Sequence, residues 1–489
     1  MNNNKAVENE NMEKETALYL ESQLKSDVGR YKIWNQRELL RNLPIQIIEK
    51  SPMICSACAI VEELSDDYNK ADEYIARLKR LQILYRANSD KYEEIENYLR
   101  CMDIELAHRS TTDLFNKYKL LLEVLEKQNE YKLKPTITLN RPSLLNGARD
   151  NYKYASHLFT AKKPLKMMAE KLYQREGCMI FELAKAEALY QENKIAESLS
   201  LLSNLIPRLE RMKNPELLFV ALYLRYCILI VTGQLDSVYC MIDKMKNKLN
   251  ELDAFYLIPN INAIRVWAAM LDCNYPLIKE WGKNHAPDES GEYCNLDRFQ
   301  YFIKLRVYLL YGKHMLLVNL AGRMLHGLLQ LERHAELCEL YTILAMSYYN
   351  EKNEKQAFQY LTEALELCRK YKFYRIIANE GSRIYLLLRD YACAVIEDNT
   401  VIKLMQMSRT FGLFYPDYLK PKLYKTTTLT ATEMDVLRLL CVERSNEEIG
   451  TYLDITTRTV KFHVSNIFRK LGVKNRRQAA KAAKKNGIV

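Results

Sequence analysis

Apolar residues recur at helical spacing on both sides of short polar turns along most of the chain. The clearest unit surrounds a polar turn at 350–354, and its apolar residues at helical spacing are Ala345, Tyr348, Ala357, Leu361 and Ala364. Small residues at the contact let two antiparallel helices approach closely, and the larger residues fill the groove toward the next pair. The same pattern of helix, polar turn and helix recurs upstream at intervals of 40, 38, 41 and 40 residues, with turn residues Lys352, Gly312, Asn274, Gly233 and Asn193.

This spacing predicts an all-α fold in which residues 31–414 form a tetratricopeptide-like superhelix of stacked helix pairs. A polar segment, residues 1–30, precedes the array. The pattern is lost at residues 136–151, where Pro142 interrupts any helix, and we expect an ordered loop or an inserted connection there. Stacked helix pairs form a concave surface, so the sequence predicts that the array binds a small effector or a partner protein.

The end of the chain, residues 429–489, predicts a second and smaller domain after a linker at 415–428. Its four predicted helices are Ala431 to Cys441, Ser445 to Leu453, Thr456 or Thr457 to Leu471, and about Arg476 to Lys485. Thr430 with Glu433, and Ser445 with Glu448, have the spacing of capping boxes at the first two helix starts. Gly472 suits the left-handed residue that ends the third helix.

The third predicted helix has two faces of different chemistry. At about 100° per residue, one face collects Val460, Val464, Ile467 and Leu471. The opposite face collects Arg458, Lys461, Phe462, Ser465 and Arg469. Cations, a hydroxyl and an exposed aromatic ring on one face are what a helix in the DNA major groove requires. A short helix crossing it is typical of helix-turn-helix geometry.

Residues 429–483 closely resemble the LuxR-type DNA-binding domain. The resemblance is carried by the stretches LTATEMDVLRLL, SNEEIGTYLDITTRTVKFHVSNIFRKLGV and RRQAAKAA. Thr432 stands where that family usually has a basic residue, and Gly450 where it has alanine, which costs about 1 kcal/mol of helix stability.

The resemblance also implies roles for individual residues. The residues that it places toward bases are Lys461, Phe462 and Ser465. Together with the charged face of the third helix, it places near phosphates Thr457, Arg458, Thr459, Arg469, Lys470 and Arg476. In that family the fourth helix is commonly a dimer contact, and its small residues here are Ala479, Ala480, Ala482 and Ala483.

The array itself resembles the repeat region of MalT-like LuxR regulators over residues 41–390. This likeness is carried by the stretch LRNLPIQIIEKSPMICSACAIV and by the run from IKEWGKNHAPD through QAFQYLTEALELCRKYKFYRIIANEGSRIYLLL. Proteins of that branch have an N-terminal nucleotide-binding switch ATPase, which this sequence lacks. The resemblance therefore implies binding of an effector or partner by the repeats, without ATP-driven oligomerisation.

Charge is concentrated at the end of the chain. The whole sequence carries a formal charge of +11, and residues 429–489 contribute +6 of it, from twelve Lys or Arg and six Asp or Glu. More than half of the excess thus lies in one eighth of the length, which indicates a polyanionic partner for the small domain.

The sequence shows no motif of a catalytic site. It contains no phosphate-binding G-x-x-x-x-G-K-[ST] loop, no G-x-S-x-G and no H-E-x-x-H. Cys55 and Cys58 have the spacing of a metal or redox pair, but they lie in an apolar helix without a second pair, which favours packing. We therefore expect a protein that is not an enzyme, that uses no cofactor or metal and that hydrolyses no ATP. A polar start without a signal sequence indicates the cytoplasm.

The sequence thus favours a bacterial-type transcription regulator with duplex DNA as its partner. We expect a homodimer on DNA, an unknown effector or protein partner on the array, and RNA polymerase as a further contact of the regulator. The main alternative is a repeat scaffold or adaptor with a vestigial helix-turn-helix. A phosphorylation-gated regulator would need an α/β receiver at its start, and a switch ATPase would need phosphate loops, so both are disfavoured.

Overall fold

The computed structural model is predominantly helical in the part of the chain that it describes. The described residues are 2–24, 29–109, 116, 136–158, 170, 175–289, 291–394, 398–419, 429, 431–471, 473 and 475–485. Among these residues there is no β-strand, which confirms the predicted all-α class. The chain divides into two compact units, Met1–Lys420 and Pro421–Val489.

Seven helices form the start of the first unit. They are α1 (Asn2–Leu24), α2 (Arg30–Asn35), α3 (Arg37–Asn42), α4 (Ile45–Ile48), α5 (Pro52–Leu64), α6 (Tyr68–Leu84) and α7 (Ser89–Glu105). Leu20 of α1 is fully buried in the core of this region, so part of the predicted polar segment packs against the following helices. Arg30 is buried between two carboxylates, with Nη1 2.6 Å from Glu63 Oε2 and Nη2 3.0 Å from Glu105 Oε2.

Five antiparallel helix pairs follow. They are α8 (Arg175–Gln191) with α9 (Ile195–Met212), α10 (Pro215–Val231) with α11 (Leu235–Glu251), α12 (Ile258–Leu271) with α13 (Tyr275–Asn284), α14 (Arg298–Leu310) with α15 (His314–Gln330), and α16 (His334–Asn350) with α17 (Glu354–Tyr371). The first unit closes with α18 (Tyr374–Ala378), α19 (Gly381–Ala394) and α20 (Asn399–Phe414). The small residues expected at the α16–α17 contact, Ala345 and Ala357, are fully buried.

A left-handed residue marks the turn inside each of these five pairs. These residues recur at intervals of 40, 40, 39 and 40, and they are Asn193, Gly233, Cys273, Gly312 and Lys352. Four of them are the turn residues that the sequence pattern predicts. In the third pair the left-handed residue is Cys273 and not Asn274, because Asn274 caps α13, its Oδ1 accepting a hydrogen bond from Leu277 N at 3.4 Å.

The segment 136–158 is ordered but lacks regular helix until a 3-10 turn at Tyr152–Leu158. It is attached to α8 through Glu187, which accepts hydrogen bonds from Leu144 N at 2.9 Å and Leu145 N at 3.2 Å. The backbone is tight at Gly147, where a Cβ would lie 2.1 Å from the carbonyl oxygen of Ile137. Only glycine fits there, so the fold of this segment depends on that residue.

The last residues of the first unit return to its interior. Tyr415, Tyr418 and Leu419 are buried, although the sequence assigns them to the linker. Trp267 Nε1 donates to Tyr418 Oη at 3.0 Å, and Tyr418 Oη donates to Glu380 Oε2 at 3.3 Å. The array therefore extends to this turn, and residues 420–428 of the predicted linker lie outside the described residues.

Cys55 and Cys58 lie inside α5, and both are buried. Cys55 Sγ donates to the carbonyl oxygen of Tyr74 at 3.3 Å, and Cys58 Sγ contacts that of Leu40 at 3.9 Å. Burial raises the pKa of the Cys55 thiol to about 12, so the thiolate needed for metal binding or redox chemistry is disfavoured. In the described residues no His, Cys, Asp and Glu side chains form a metal-binding group. No helix of the described chain has the length and apolar character to cross a membrane.

The second unit contains α21 (Ala431–Cys441), α22 (Asn446–Leu453), α23 (Thr457–Leu471) and α24 (Arg476–Lys485). They share one small core, whose fully or almost fully buried residues are Val436, Leu437, Leu440, Ile449, Val460, Ile467, Ala479 and Ala483. Val460 and Ile467 belong to the face of the third helix that the sequence assigns to packing. The opposite face of α23 is therefore left toward solvent within this unit.

Candidate nucleic-acid interface

The start of α22 is fixed by a capping box. Ser445 Oγ accepts from Glu448 N at 3.2 Å, and Glu448 Oε2 accepts from Ser445 N at 2.7 Å. Both orphan amide groups are thereby satisfied, as the sequence predicts. The corresponding Thr430 at α21 lies outside the described residues.

A tight turn sets the angle between α22 and α23. Asp454 adopts a left-handed conformation with φ of 53°, and Ile455 N donates to the carbonyl oxygen of Gly450 at 3.0 Å. A Cβ on Gly450 would lie 2.7 Å from the carbonyl oxygen of Ile455. The absence of a side chain at Gly450 thus permits the close approach of the turn to α22.

Thr456 caps the start of α23. Its Oγ1 accepts a hydrogen bond from Thr459 N at 3.2 Å and lies 2.8 Å from Thr459 Oγ1. The helix therefore begins at Thr457, the second of the two starts that the sequence allows. The capping role of Thr456 is a residue function that the sequence analysis did not assign.

One face of α23 is exposed and carries both charge and an apolar ring. The exposed residues are Arg458, Lys461, Phe462 and Ser465, which we call the exposed face of α23. Phe462 is 63% exposed, although large apolar side chains generally avoid solvent. Val460 and Ile467, on the other side of the same helix, have no exposed surface. The Arg469 side chain, predicted on the exposed face, lies outside the described residues.

The predicted phosphate-binding residues have mixed environments. Thr457, Thr459 and Arg476 are half-buried, and Arg458 is exposed. Arg476 Nη1 lies 3.5 Å from Asn446 Oδ1, and its Nη2 is buried without a hydrogen-bond partner in the described part of the unit. Arg476 therefore retains an unused donor at the start of α24.

Lys470 has an intramolecular partner. Its Nζ lies 2.6 Å from Oε2 of Glu433, which is on α21 and only 3% exposed. This ion pair joins α23 to α21. The charge of Lys470, which the resemblance places near a DNA phosphate, is therefore already paired within the unit. Sequence reasoning missed the pair because the two residues are far apart in the chain.

The small residues of α24 do not form a free surface. Ala479 and Ala483 have no exposed area, because they pack in the core of their own unit. The expectation that these alanines offer a close dimer contact is therefore wrong for both residues. Ala480 is half-buried, and the side chain of Ala482 lies outside the described residues.

The geometry defines a four-helix unit of helix-turn-helix type. Comparisons with known proteins agree: residues 427–483 match the profile of the family described as bacterial regulatory proteins, luxR family. The chain is also 32% identical over 148 residues to the transcriptional regulatory protein DegU of Brevibacillus brevis, a match that covers 29% of this chain and 58% of the relative. The chain thus spans somewhat over half the length of that curated relative, and its C-terminal unit is a LuxR-family regulatory domain.

Proposed function

We propose that this protein is a transcription regulator that reads duplex DNA with α23 and is controlled through its helical array. The observation that carries the proposal is the exposed face of α23. Lys461, Phe462 and Ser465 lie on one side of a helix whose other side carries the fully buried Val460 and Ile467. A helix in the major groove contacts base edges with such side chains, while neighbouring cations contact phosphates.

Each exposed residue has a distinct use in this arrangement. Lys461 and Ser465 provide donors for guanine or adenine edges, and Phe462 provides an apolar contact for a thymine methyl group. Arg458, with Thr457 and Thr459, precedes them at the start of the helix, where a phosphate is favoured by the helix dipole.

The helical array is the region through which we propose that DNA binding is controlled. The array resembles MalT-like repeats in sequence, and stacked helix pairs commonly bind a peptide or small molecule. One helix-turn-helix unit covers a single half-site, so we propose that two copies of the chain bind DNA together. Contact with RNA polymerase would follow from activation at a promoter.

Three variants of the full chain test the DNA-binding role. Lys461→Ala removes a base contact, and we expect it to reduce the preference for the selected site over random DNA by about 1–3 kcal/mol. Arg458→Ala removes a phosphate contact, so binding to both DNAs should weaken alike and the salt dependence should decrease. Arg438→Ala is the matched control, because Arg438 is an exposed cation on α21 in an ion pair with Asp435.

The measurement is a gel-shift titration at several salt concentrations, with a site first selected from random duplexes by the full chain. If no duplex is retained at low salt, the alternative of a repeat scaffold with a vestigial helix-turn-helix takes precedence. If Lys461→Ala and Arg458→Ala lose affinity equally on selected and random DNA, the assignment of Lys461 to a base edge is wrong.

A further inference from the structure

A cavity of about 150 Å³ lies inside the first unit. It is walled by the first helix of each of the five pairs, by α18 and by the irregular segment 136–158. Its walls are partly aromatic, since Tyr190, Tyr223, Phe299 and Phe302 all line it. Cavities of this size accept a molecule of about one aromatic ring, so the volume and walls suit a small ligand with a flat apolar body.

Arg375, on α18, lines this cavity and is the unusual residue of its wall. It is 8% exposed, and its guanidinium has only neutral neighbours: Nη1 lies 3.5 Å from Asn379 Oδ1, and Nη2 donates to Asn193 Oδ1. Its Nε is buried without a hydrogen-bond partner, and within the described residues no carboxylate forms an ion pair with it. Burial lowers the pKa of Arg375, which reflects a cation held without a counter-ion.

A second buried arginine of the same wall does not share this condition. Arg306, in the same wall, has Nη1 2.7 Å from Glu339 Oε1 and Nε 3.0 Å from Glu380 Oε1. A buried, unpaired cation costs several kcal/mol, so proteins generally provide a partner. The exception at Arg375 indicates that its partner is a molecule that binds in the cavity.

The carboxylates of the wall are already engaged. Glu339 forms an ion pair with Arg306. Glu187 accepts hydrogen bonds from backbone amides of the segment 136–158. Glu336 is shared by three guanidinium groups at 2.7 to 3.4 Å, those of Arg141, Arg298 and Arg333. The lining thus has as many arginines as glutamates, and the preference for an anion depends on Arg375, whose guanidinium pairs with none of these carboxylates.

A further polar atom of the wall is unused. Gln191 Oε1 is buried without a hydrogen-bond partner in the described structure, whereas Arg141 Nε has the ion pair with Glu336 Oε1 at 3.4 Å. A ligand with an acidic group and a hydroxyl or amide N–H would accept hydrogen bonds from the Arg375 guanidinium and donate one to Gln191 Oε1. A purely apolar ligand would leave both groups unpaired.

We propose that this cavity binds a small organic anion with a ring-sized apolar body, and that the acidic group of this ligand pairs with Arg375. The inference rests on the proposed function, since it names the chemical class of the effector of the array. A carboxylate and a phosphate would both pair with a guanidinium, so the experiment has an arm for each.

The test uses the full chain without DNA. Melting temperature and calorimetric titration are measured with benzoate and its hydroxylated forms, with phenyl phosphate, and with benzyl alcohol as the neutral probe of similar size. We expect an anionic series to bind and to raise the melting temperature, and the neutral probe to bind weakly. A Kd of about 1 mM is still detected at millimolar ligand.

Arg375→Gln should lower the affinity for the anion by about 10- to 100-fold. It should also raise the melting temperature of the ligand-free protein, because it removes a buried unpaired charge. Arg383→Gln is the matched control: Arg383 also pairs only with a neutral asparagine, Asn350, but it does not line the cavity. If Arg375→Gln does not fold, Arg375→Lys replaces it and should weaken binding while retaining some.

The proposal is wrong if neither the carboxylates nor phenyl phosphate stabilise the wild-type protein at millimolar concentration. It is also wrong if Arg375→Gln binds them as the wild type does. Gel shifts with Lys461→Ala and the wild type on DNA are independent of these readouts. Failure of the cavity proposal is therefore distinguishable from failure of the DNA-binding function.

Discussion

Lys470 is a charged residue at the edge of a core, and its partner determines how it should be mutated. Its side chain is 20% exposed, and that of Glu433 is 4% exposed. Taking both groups out of water is costly, and their mutual attraction offsets that cost only while both are present. Loss of DNA binding by a Lys470 variant therefore mixes two effects, a lost phosphate contact and a weakened domain.

We predict that Lys470→Met lowers the free energy of unfolding of the C-terminal unit by about 2–3 kcal/mol, because the buried Glu433 carboxylate loses its ion pair with Lys470. The double variant Lys470→Met with Glu433→Gln should recover most of this loss. Urea unfolding of residues 420–489, followed by circular dichroism, measures both. A Lys470→Met variant as stable as the wild type would show that the ion pair contributes nothing.

At the scale of the element, the turn between α22 and α23 places Gly450 in a position where two effects oppose each other. Glycine inside a helix is less stable than alanine by about 1 kcal/mol. The close approach of the Ile455 carbonyl, 2.7 Å from where a Cβ would be, opposes the substitution because backbone must move to admit it. The contact should outweigh the propensity.

We predict that Gly450→Ala destabilises the C-terminal unit by about 1–2 kcal/mol, in contrast to what helix propensity alone implies. Gly322→Ala in α15 is the control, because Gly322 is exposed and a Cβ there would meet no atom within 4 Å. That variant should stabilise the array by up to about 1 kcal/mol. Thermal melts of the two variants decide the sign, and a more stable Gly450→Ala protein would contradict the close contact.

Much of the architecture could be predicted from sequence because it depends on short-range patterns. The turns at Asn193, Gly233, Gly312 and Lys352 were predicted to the residue, since polar residues and glycine interrupt a regular apolar period. Cys273 was missed because cysteine has no special tendency toward the left-handed conformation, while its neighbour Asn274 resembles a turn residue and in fact caps a helix.

The exposed face of the candidate site could also be predicted from short-range patterns, but the contacts that hold the site in place could not. The exposure of Lys461, Phe462 and Ser465 follows from helical periodicity alone. The Glu433–Lys470 ion pair and the burial of Ala479 depend on contacts between distant parts of the chain, which one sequence does not specify. The cavity around Arg375 is the extreme case, because six helices and a loop supply its walls.

At the scale of the whole molecule, assembly on DNA cannot rely on the alanines of α24. Ala479 and Ala483 are buried in the core of their own unit. Arg477 and Lys481, on the same helix, are exposed. Like charges on facing helices repel each other, so the C-terminal unit alone has little to hold two copies together.

We predict that residues 420–489 are monomeric in solution, whereas two full-length chains bind one operator with two half-sites. Ligand or partner binding by the array should increase this pairing. Sedimentation of both proteins, with and without the duplex, measures the stoichiometry. A full-length chain that binds one per operator under all conditions would contradict a role of the array in pairing.

The hydrogen bonds of Tyr418 connect the wall of the cavity with the last turn of the first unit. Its hydroxyl is held by Trp267, which lines the cavity, and by Glu380, which holds Arg306 in the same wall. The last turn before residue 420 and a bound molecule therefore depend on shared side chains. Linked equilibria are reciprocal: if release of this turn accompanies operator binding, the operator must change the ligand's affinity by the same factor by which the ligand changes the operator's. The operator then acts as an effector of the cavity, and a ligand titration repeated with and without DNA gives the strength of regulation.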